Sequence, residues 1–104
     1  MRTVVWSDAA RRDYLDIIRY ISEDDPFAAD SVADRLDAAA SRLAHMPTGR
    51  RGRIVGTYEK IVTGLPYIIA YAIGASPTGG EAVTILHVIM ARVTGRLGAG
   101  QRSV

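Results

Sequence analysis

The chain has 104 residues and contains no cysteine. It can therefore form neither disulfides nor thiolate metal sites, and this composition fits a reducing compartment. The longest uncharged apolar run, residues 65–75, is much shorter than the about 20 residues that a membrane-spanning helix needs. The first eight residues lack the apolar segment of a signal peptide. We therefore expect a cytoplasmic protein with no membrane partner.

Lysine is also scarce, since Lys60 is the one lysine in the chain. Nearly all of the positive charge is thus carried by guanidinium groups, which suit bidentate contacts to carboxylate or phosphate. The charge is unevenly distributed: residues 1–48 hold six arginines against nine acids, a net of −3, and residues 49–104 hold seven basic residues against two acids, a net of +5. This asymmetry predicts a basic surface for an acidic partner or a polyanion. The alternative is that the acidic residues simply lie on the solvent-exposed faces of helices, so that the asymmetry has no role in binding.

The hydrophobic content of 48% is ample for one core at this chain length. We expect one domain over residues 1–94. Residues 95–104 are rich in glycine and arginine, and we expect them to form a flexible C-terminal tail.

The first half of the sequence predicts a short strand followed by two helices. Residues 3–6 are β-prone, and Ser7 is a good helix N-cap. Asp25 followed by Pro26 ends the first helix and starts the second, because proline fits the first helical position and disfavours a helical residue before it. Apolar residues recur at helical spacing in both segments, and the second stripe contains many alanines, so we expect an antiparallel helical hairpin.

The second half predicts three strands over residues 57–63, 67–73 and 83–91. The middle strand is apolar on both faces, so we place it in the centre of the sheet. The expected fold class is α+β in the order β-α-α-β-β-β, with the helical hairpin packed on one face of a small, mostly antiparallel sheet.

A basic segment precedes these strands. Arg50, Arg51 and Arg53 flank Gly52, and three cations this close repel one another unless an anion or a carboxylate lies near. We interpret the segment as a loop that binds a partner, with a merely solvated loop as the alternative. Tyr58 and Lys60 alternate with Glu59 and project to one side of the next strand, either as part of an anion site or as ordinary cross-strand neighbours.

The two histidines give weak signals. His45 follows the second helix, where it can simply favour the helix dipole. His87 is predicted to share a strand face with Val83, Ile85 and Ile89, as a satisfied sheet residue more readily than as a catalytic one. Two distant histidines make a poor metal site, so we expect no metal and no cofactor.

Several segments, taken in order, carry a family resemblance: Val5-Trp6-Ser7 with Ala9-Ala10, the helical stretches 13–21 and 25–29, residues 43–47, the basic segment and strand 49–59, Pro66-Tyr67-Ile68-Ile69-Ala70-Tyr71, and residues 85–88. Together they span about residues 3–92. In this order and spacing they resemble the RelE/ParE superfamily of toxins from type II toxin–antitoxin systems. The predicted β-α-α-β-β-β order is that of the superfamily.

The resemblance implies a small bacterial toxin that is neutralised by a cognate antitoxin and forms a hetero-oligomer with it. Two mechanisms occur among such toxins. ParE-like members inhibit DNA gyrase by binding it, and RelE-like members cleave mRNA on the ribosome. Because the fold is shared, it cannot choose between them. A degenerate, non-toxic member that only binds its antitoxin is a third reading.

If the chain is a nuclease, the resemblance implies that its catalytic residues are Arg53, Lys60, Arg92 and Tyr58. The sequence departs from the nuclease pattern at two positions: Met90 stands where a histidine is expected, and Tyr58 stands where many relatives have arginine. These departures favour gyrase inhibition, with the catalytic residues left unassigned. Binding to the antitoxin or the target is predicted for six residues: Arg50, Arg51, Arg53, Tyr58, Lys60 and Arg92. We expect acids of the antitoxin's C-terminal segment to contact the three arginines of the basic segment.

Overall fold

A computed structural model describes residues 2–52 and 54–91. The predicted tail, residues 95–104, lies outside them, as do Arg53 and Arg92. The elements in chain order are β1 (Thr3–Trp6), α1 (Asp8–Asp24), α2 (Pro26–Arg42), β2 (Arg50–Arg51), β3 (Thr57–Ile61), β4 (Tyr67–Ala75) and β5 (Glu81–Met90).

The strands form one sheet in the order β1-β5-β4-β3-β2. Strand β1 pairs with β5 in parallel, and every other pair is antiparallel. The α+β class, the helical hairpin and the mostly antiparallel sheet are as the sequence predicts. Strand β4 lies at the centre of the sheet, which agrees with its two apolar faces.

Both predicted helix caps are present. The Ser7 hydroxyl accepts a hydrogen bond from the Ala10 amide at 3.0 Å, and an Asp25 carboxylate oxygen accepts from the amides of Phe27 and Ala28 at 3.1 Å each. These bonds satisfy amides that have no partner within the helix. In the described ranges, neither helix is long and apolar enough to cross a membrane.

The helices cover one face of the sheet, and the core lies between the two layers. Its largest fully buried side chains come from α2 and the turn after it, and from the two central strands: Leu36, Leu43, Ile69, Tyr71, Val83 and Ile85. Burying one such side chain contributes about 1.5–3 kcal/mol. Ala10, Ala39 and Ala40 are also buried, and their small size lets the helices approach the sheet closely.

The prediction for the last strand is wrong in one respect. Ala70 faces His87 and Tyr71 faces Ile85, so β5 carries one extra residue at Leu86. This β-bulge reverses the alternation of side chains beyond it. Val88 is therefore buried against the helices, whereas His87 is exposed and does not share the face of Ile85.

The interpretation of Arg50 and Arg51 as loop residues is also wrong. They form the edge strand β2, in which Arg50 lies opposite Glu59 and Arg51 lies opposite Tyr58. A tight turn joins this strand to β3: the Gly52 amide donates to the Thr57 carbonyl at 2.9 Å. The sheet therefore has five strands, one more than expected.

Candidate functional site

Strand pairing divides the predicted basic cluster between the two faces of the sheet. Tyr58 lies opposite Tyr71, and Lys60 lies opposite Ile69. Both partners are fully buried beneath the helices, and residues directly opposite each other share a face. Tyr58 and Lys60 therefore share one face, as predicted, and this is the face toward the helices, on which Arg51 also lies.

Arg50 lies on the other face. Its Nη2 atom is 3.5 Å from Oε1 of Glu59, the residue directly opposite. The Arg50 side chain is 68% exposed, so this ion pair contributes about 0.2–1 kcal/mol at most. Arg50 thus has an acidic neighbour within the sheet and projects to the opposite face from Arg51 and Lys60, although Arg50 and Lys60 both line a depression of about 240 Å³ at the sheet edge. For Arg53 and Arg92, which lie outside the described residues, the proposed roles stay predictions.

Tyr58 is held in a cross-strand aromatic pair. Its ring stacks on that of Tyr71, with centroids 5.5 Å apart and an angle of 24° between the ring planes. The Tyr71 hydroxyl donates to the Thr48 carbonyl oxygen at 2.7 Å. Burial raises the pKa of Tyr71, and the neighbouring Tyr58 raises it further. The pair fixes the position of β3 against the core, so Tyr58 has a packing role whether or not it also binds a ligand.

Lys60 lines a depression of about 300 Å³ between strand β3 and the C-terminal end of α2. Arg42, in the last turn of α2, lines the same depression. A neighbouring depression of about 220 Å³ is lined by Arg42 and by Arg35. Sequence reasoning missed both arginines as site residues. Their spacing of seven residues indicates that they share one side of α2, but it does not indicate which strand that side meets.

Arg35 is held in place by the turn between β3 and β4. Its Nη2 atom donates to the Thr63 carbonyl oxygen at 3.0 Å. Gly64, with φ +80°, makes room for this guanidinium, since a Cβ atom there would lie 2.6 Å from Nη2. Arg35 therefore has a hydrogen-bond partner within the protein at the edge of the second depression.

His87 lies on β5, away from these depressions. His87 Nδ1 is 3.0 Å from Oδ2 of Asp13, which also accepts a hydrogen bond from the Val88 amide at 3.0 Å. Asp13 therefore connects α1 to β5 at residues of β5 that lie beyond its pairing with β1. Strand β5 is two strands from β3, a separation of about 10 Å, and His87 projects to the opposite face from Lys60. His45 is exposed after α2. Over residues 2–52 and 54–91, no group of three or more His, Cys, Asp or Glu side chains is placed to hold a metal ion.

A second, apolar pocket of about 260 Å³ lies beside α1 and is lined by Trp6, Arg11, Tyr14, Leu15 and Asp37. The Trp6 and Tyr14 rings meet edge to face with centroids 5.5 Å apart. The Tyr14 hydroxyl donates to Asp37 at 3.3 Å. Burial raises the pKa of Tyr14, and the charges of Asp37 and Asp34 add to the increase. Leu15 at its rim is 56% exposed, so this pocket presents apolar surface to solvent.

Comparison with known proteins gives consistent results. A family model described as the ParE toxin of the type II toxin–antitoxin system parDE matches residues 4–93. Toxin Y4kP of Sinorhizobium fredii is 38% identical over 87 residues, which are 83% of this chain and 88% of that protein. Toxin RelE2 of Caulobacter vibrioides is 35% identical over 98 residues, 93% of this chain and 100% of the relative.

A solved structure described as the chromosomal ParDE toxin–antitoxin system from P. aeruginosa shares the fold. It superposes with a TM-score of 0.76, covering 88% of this chain and 98% of the other, at 17% sequence identity. At that identity the likeness supports the two-layer architecture and carries no residue roles.

Proposed function

The chain belongs to the ParE toxin family of type II toxin–antitoxin systems, and we propose that a cognate antitoxin neutralises it and that it inhibits DNA gyrase by binding to it. Such a toxin needs surfaces that recognise proteins, and it needs no group that makes or breaks a covalent bond. The proposed target places its site of action in the cytoplasm.

The observation that carries this proposal is the arrangement of groups around β3. Cleavage of RNA by attack of a 2′-hydroxyl requires a base, an acid and cations around one phosphate. In the described chain, Arg42 lines the same depression as Lys60, and the Tyr58 ring is stacked on Tyr71. This surface therefore supplies positive charge, whereas His87, the described histidine that pairs with a carboxylate, is on the other face of the sheet.

Exposed apolar side chains also support recognition of a protein. Phe27 is 85% exposed at the start of α2, and Leu15 borders the pocket beside Trp6. Large exposed apolar side chains at a pocket rim are typical of protein-binding surfaces. We propose that the antitoxin or the target covers the pocket beside Leu15.

The test is a supercoiling assay with purified gyrase and increasing amounts of the toxin. We expect supercoiling to stop when toxin and gyrase are near equal concentration and to recover when the antitoxin is added. The matched measurement is translation of a reporter mRNA in a purified system, which should continue. Normal supercoiling at a large excess of folded toxin would refute gyrase as the target.

One observation favours the second candidate, a ribosome-dependent mRNA endonuclease: Arg51, Tyr58 and Lys60 share a face. That candidate predicts translation arrest with cuts in the ribosomal A site, and loss of toxicity in Lys60→Ala. If neither supercoiling nor translation changes, the chain is a non-toxic member that only binds its antitoxin.

A further inference from the structure

Cations of α2 and β3 line a surface beside the C-terminal half of α2. Arg35, Arg42 and Lys60 line two adjoining depressions, which we call the basic cleft. We propose that the basic cleft binds an acidic peptide segment of a partner protein, with its carboxylates on these three cations. The proposal rests on the proposed function only for the expectation that the partner is a protein.

The charges within the cleft are all of one sign. Of the residues that line the two depressions in the described structure, none is Asp or Glu. The C-terminal end of a helix carries partial negative charge that stabilises nearby cations, and Arg42 lies in the last turn of α2. This effect stabilises Arg42 beside the other two cations, and an anion is what complements all three.

The geometry of Arg35 favours carboxylates held at a fixed place. Its guanidinium already donates to the Thr63 carbonyl and lies over Gly64. A guanidinium presents several donors in one plane, so those not used by Thr63 remain able to contact a carboxylate. Because this side chain is already ordered, binding costs less conformational entropy than it would for a free arginine.

The floor of the cleft favours a peptide over a nucleic acid. Leu43 and Val62 form an apolar base, and Met46, which is 67% exposed, borders it. Apolar side chains of a peptide can pack there beside its carboxylates. Nucleic acid without sequence preference is instead bound by cations together with aromatic rings on which bases stack, and no aromatic side chain of the described residues lines these depressions.

The sequence-based expectation placed the acids of the partner on the three arginines of residues 50–53. The basic cleft is a different surface. Arg50 projects from the opposite face of the sheet and pairs with Glu59, whereas Arg42 and Arg35 extend the helix-facing cations onto α2.

The experiment measures binding of labelled probes to the full chain by fluorescence anisotropy. The first probe is a twelve-residue peptide that alternates Glu with Leu, the second replaces every Glu by Gln, and the third is an oligouridylate of twelve nucleotides. We expect the Glu peptide to bind about tenfold or more tightly than the Gln peptide and to weaken as salt rises. We expect the RNA to bind more weakly than the Glu peptide.

Variants locate the site. Arg42→Ala and Lys60→Ala should each weaken binding of the Glu peptide by about threefold to tenfold. Arg19→Ala removes a charge of the same sign from α1, where Arg19 lies beside Asp16, and should change binding by less than about twofold. Amide NMR shifts on adding the peptide should be largest at residues 60–63 and 42–48, and circular dichroism confirms that each variant is folded.

Three outcomes would overturn the proposal. Equal binding of the Glu and Gln peptides would mean that the carboxylates are not recognised. Tighter binding of the RNA would make the cleft a nucleic-acid surface, and equal weakening by Arg19→Ala would reduce the effect to overall charge. None of these readouts depends on gyrase, so a failed supercoiling test leaves the binding result interpretable on its own.

Discussion

Replacing Tyr71 with alanine should remove a large part of the protein's free energy of unfolding. Tyr71 is fully buried, stacks on Tyr58 and donates to the Thr48 carbonyl oxygen. Removing a buried ring costs about 3–5 kcal/mol, and the free energy of unfolding of a whole domain is about 5–15 kcal/mol. The loss also leaves the Thr48 carbonyl without its donor. Urea denaturation followed by circular dichroism measures the effect.

The matched control is Tyr71→Phe. It keeps the ring and the stack but removes the hydroxyl, so it should cost about 1 kcal/mol. The difference between the two variants isolates the contribution of the ring to core packing. An alanine variant as stable as the phenylalanine variant would show that this pair does not hold β3 and β4 together.

Replacing Gly49 with alanine should be the second most damaging of the changes considered. Gly49 has φ +135°, a conformation that a residue with a Cβ atom rarely adopts. A Cβ atom there would lie 2.5 Å from the carbonyl oxygen of Glu59, which is backbone in the neighbouring strand and cannot move aside cheaply. Strain and clash together should cost about 3 kcal/mol or more, measured again by urea denaturation.

Gly56→Ala is the control for Gly49→Ala. Gly56 also has a positive φ, +87°, but a Cβ atom there would meet nothing within 4 Å. Its replacement should therefore cost only the backbone strain, about 1–2 kcal/mol. If the two variants lose equal stability, the contact between Gly49 and β3 is not the reason for glycine at position 49.

Local signals explain why much of the fold could be predicted from the sequence. The helix caps at Ser7 and Asp25 each depend on one side chain and on backbone amides two or three residues later in the chain. They can therefore be recognised from the sequence without knowledge of the tertiary structure. The central position of β4 follows from its own two apolar faces. The order of the elements followed from these signals and from the family resemblance together.

The structural features that the sequence did not indicate depend on contacts between segments that are distant in the chain. The bulge at Leu86 lies just beyond the residues of β5 that pair with β1, and it decides that Val88 and not His87 is buried. Strand β2 is only two residues long, too short to leave an alternating pattern. Arg42 in α2 and Lys60 in β3 line the same depression although they are eighteen positions apart in sequence. Helical spacing within α2 cannot reveal that proximity.

The division of Arg50 from Lys60 follows from the same cause. Basic residues that are adjacent in sequence lie on one face only where successive side chains do not alternate in direction. Once Arg50 and Arg51 are in a strand, adjacent side chains must project to opposite faces.

The measurement that tests the central proposal most directly is induction of the toxin alone in living cells, with plasmid supercoiling and protein synthesis followed in parallel. Inhibition of gyrase predicts that plasmid DNA loses negative supercoils while protein synthesis at first continues. Arrest of protein synthesis with supercoiling intact would contradict the proposal and favour cleavage of mRNA.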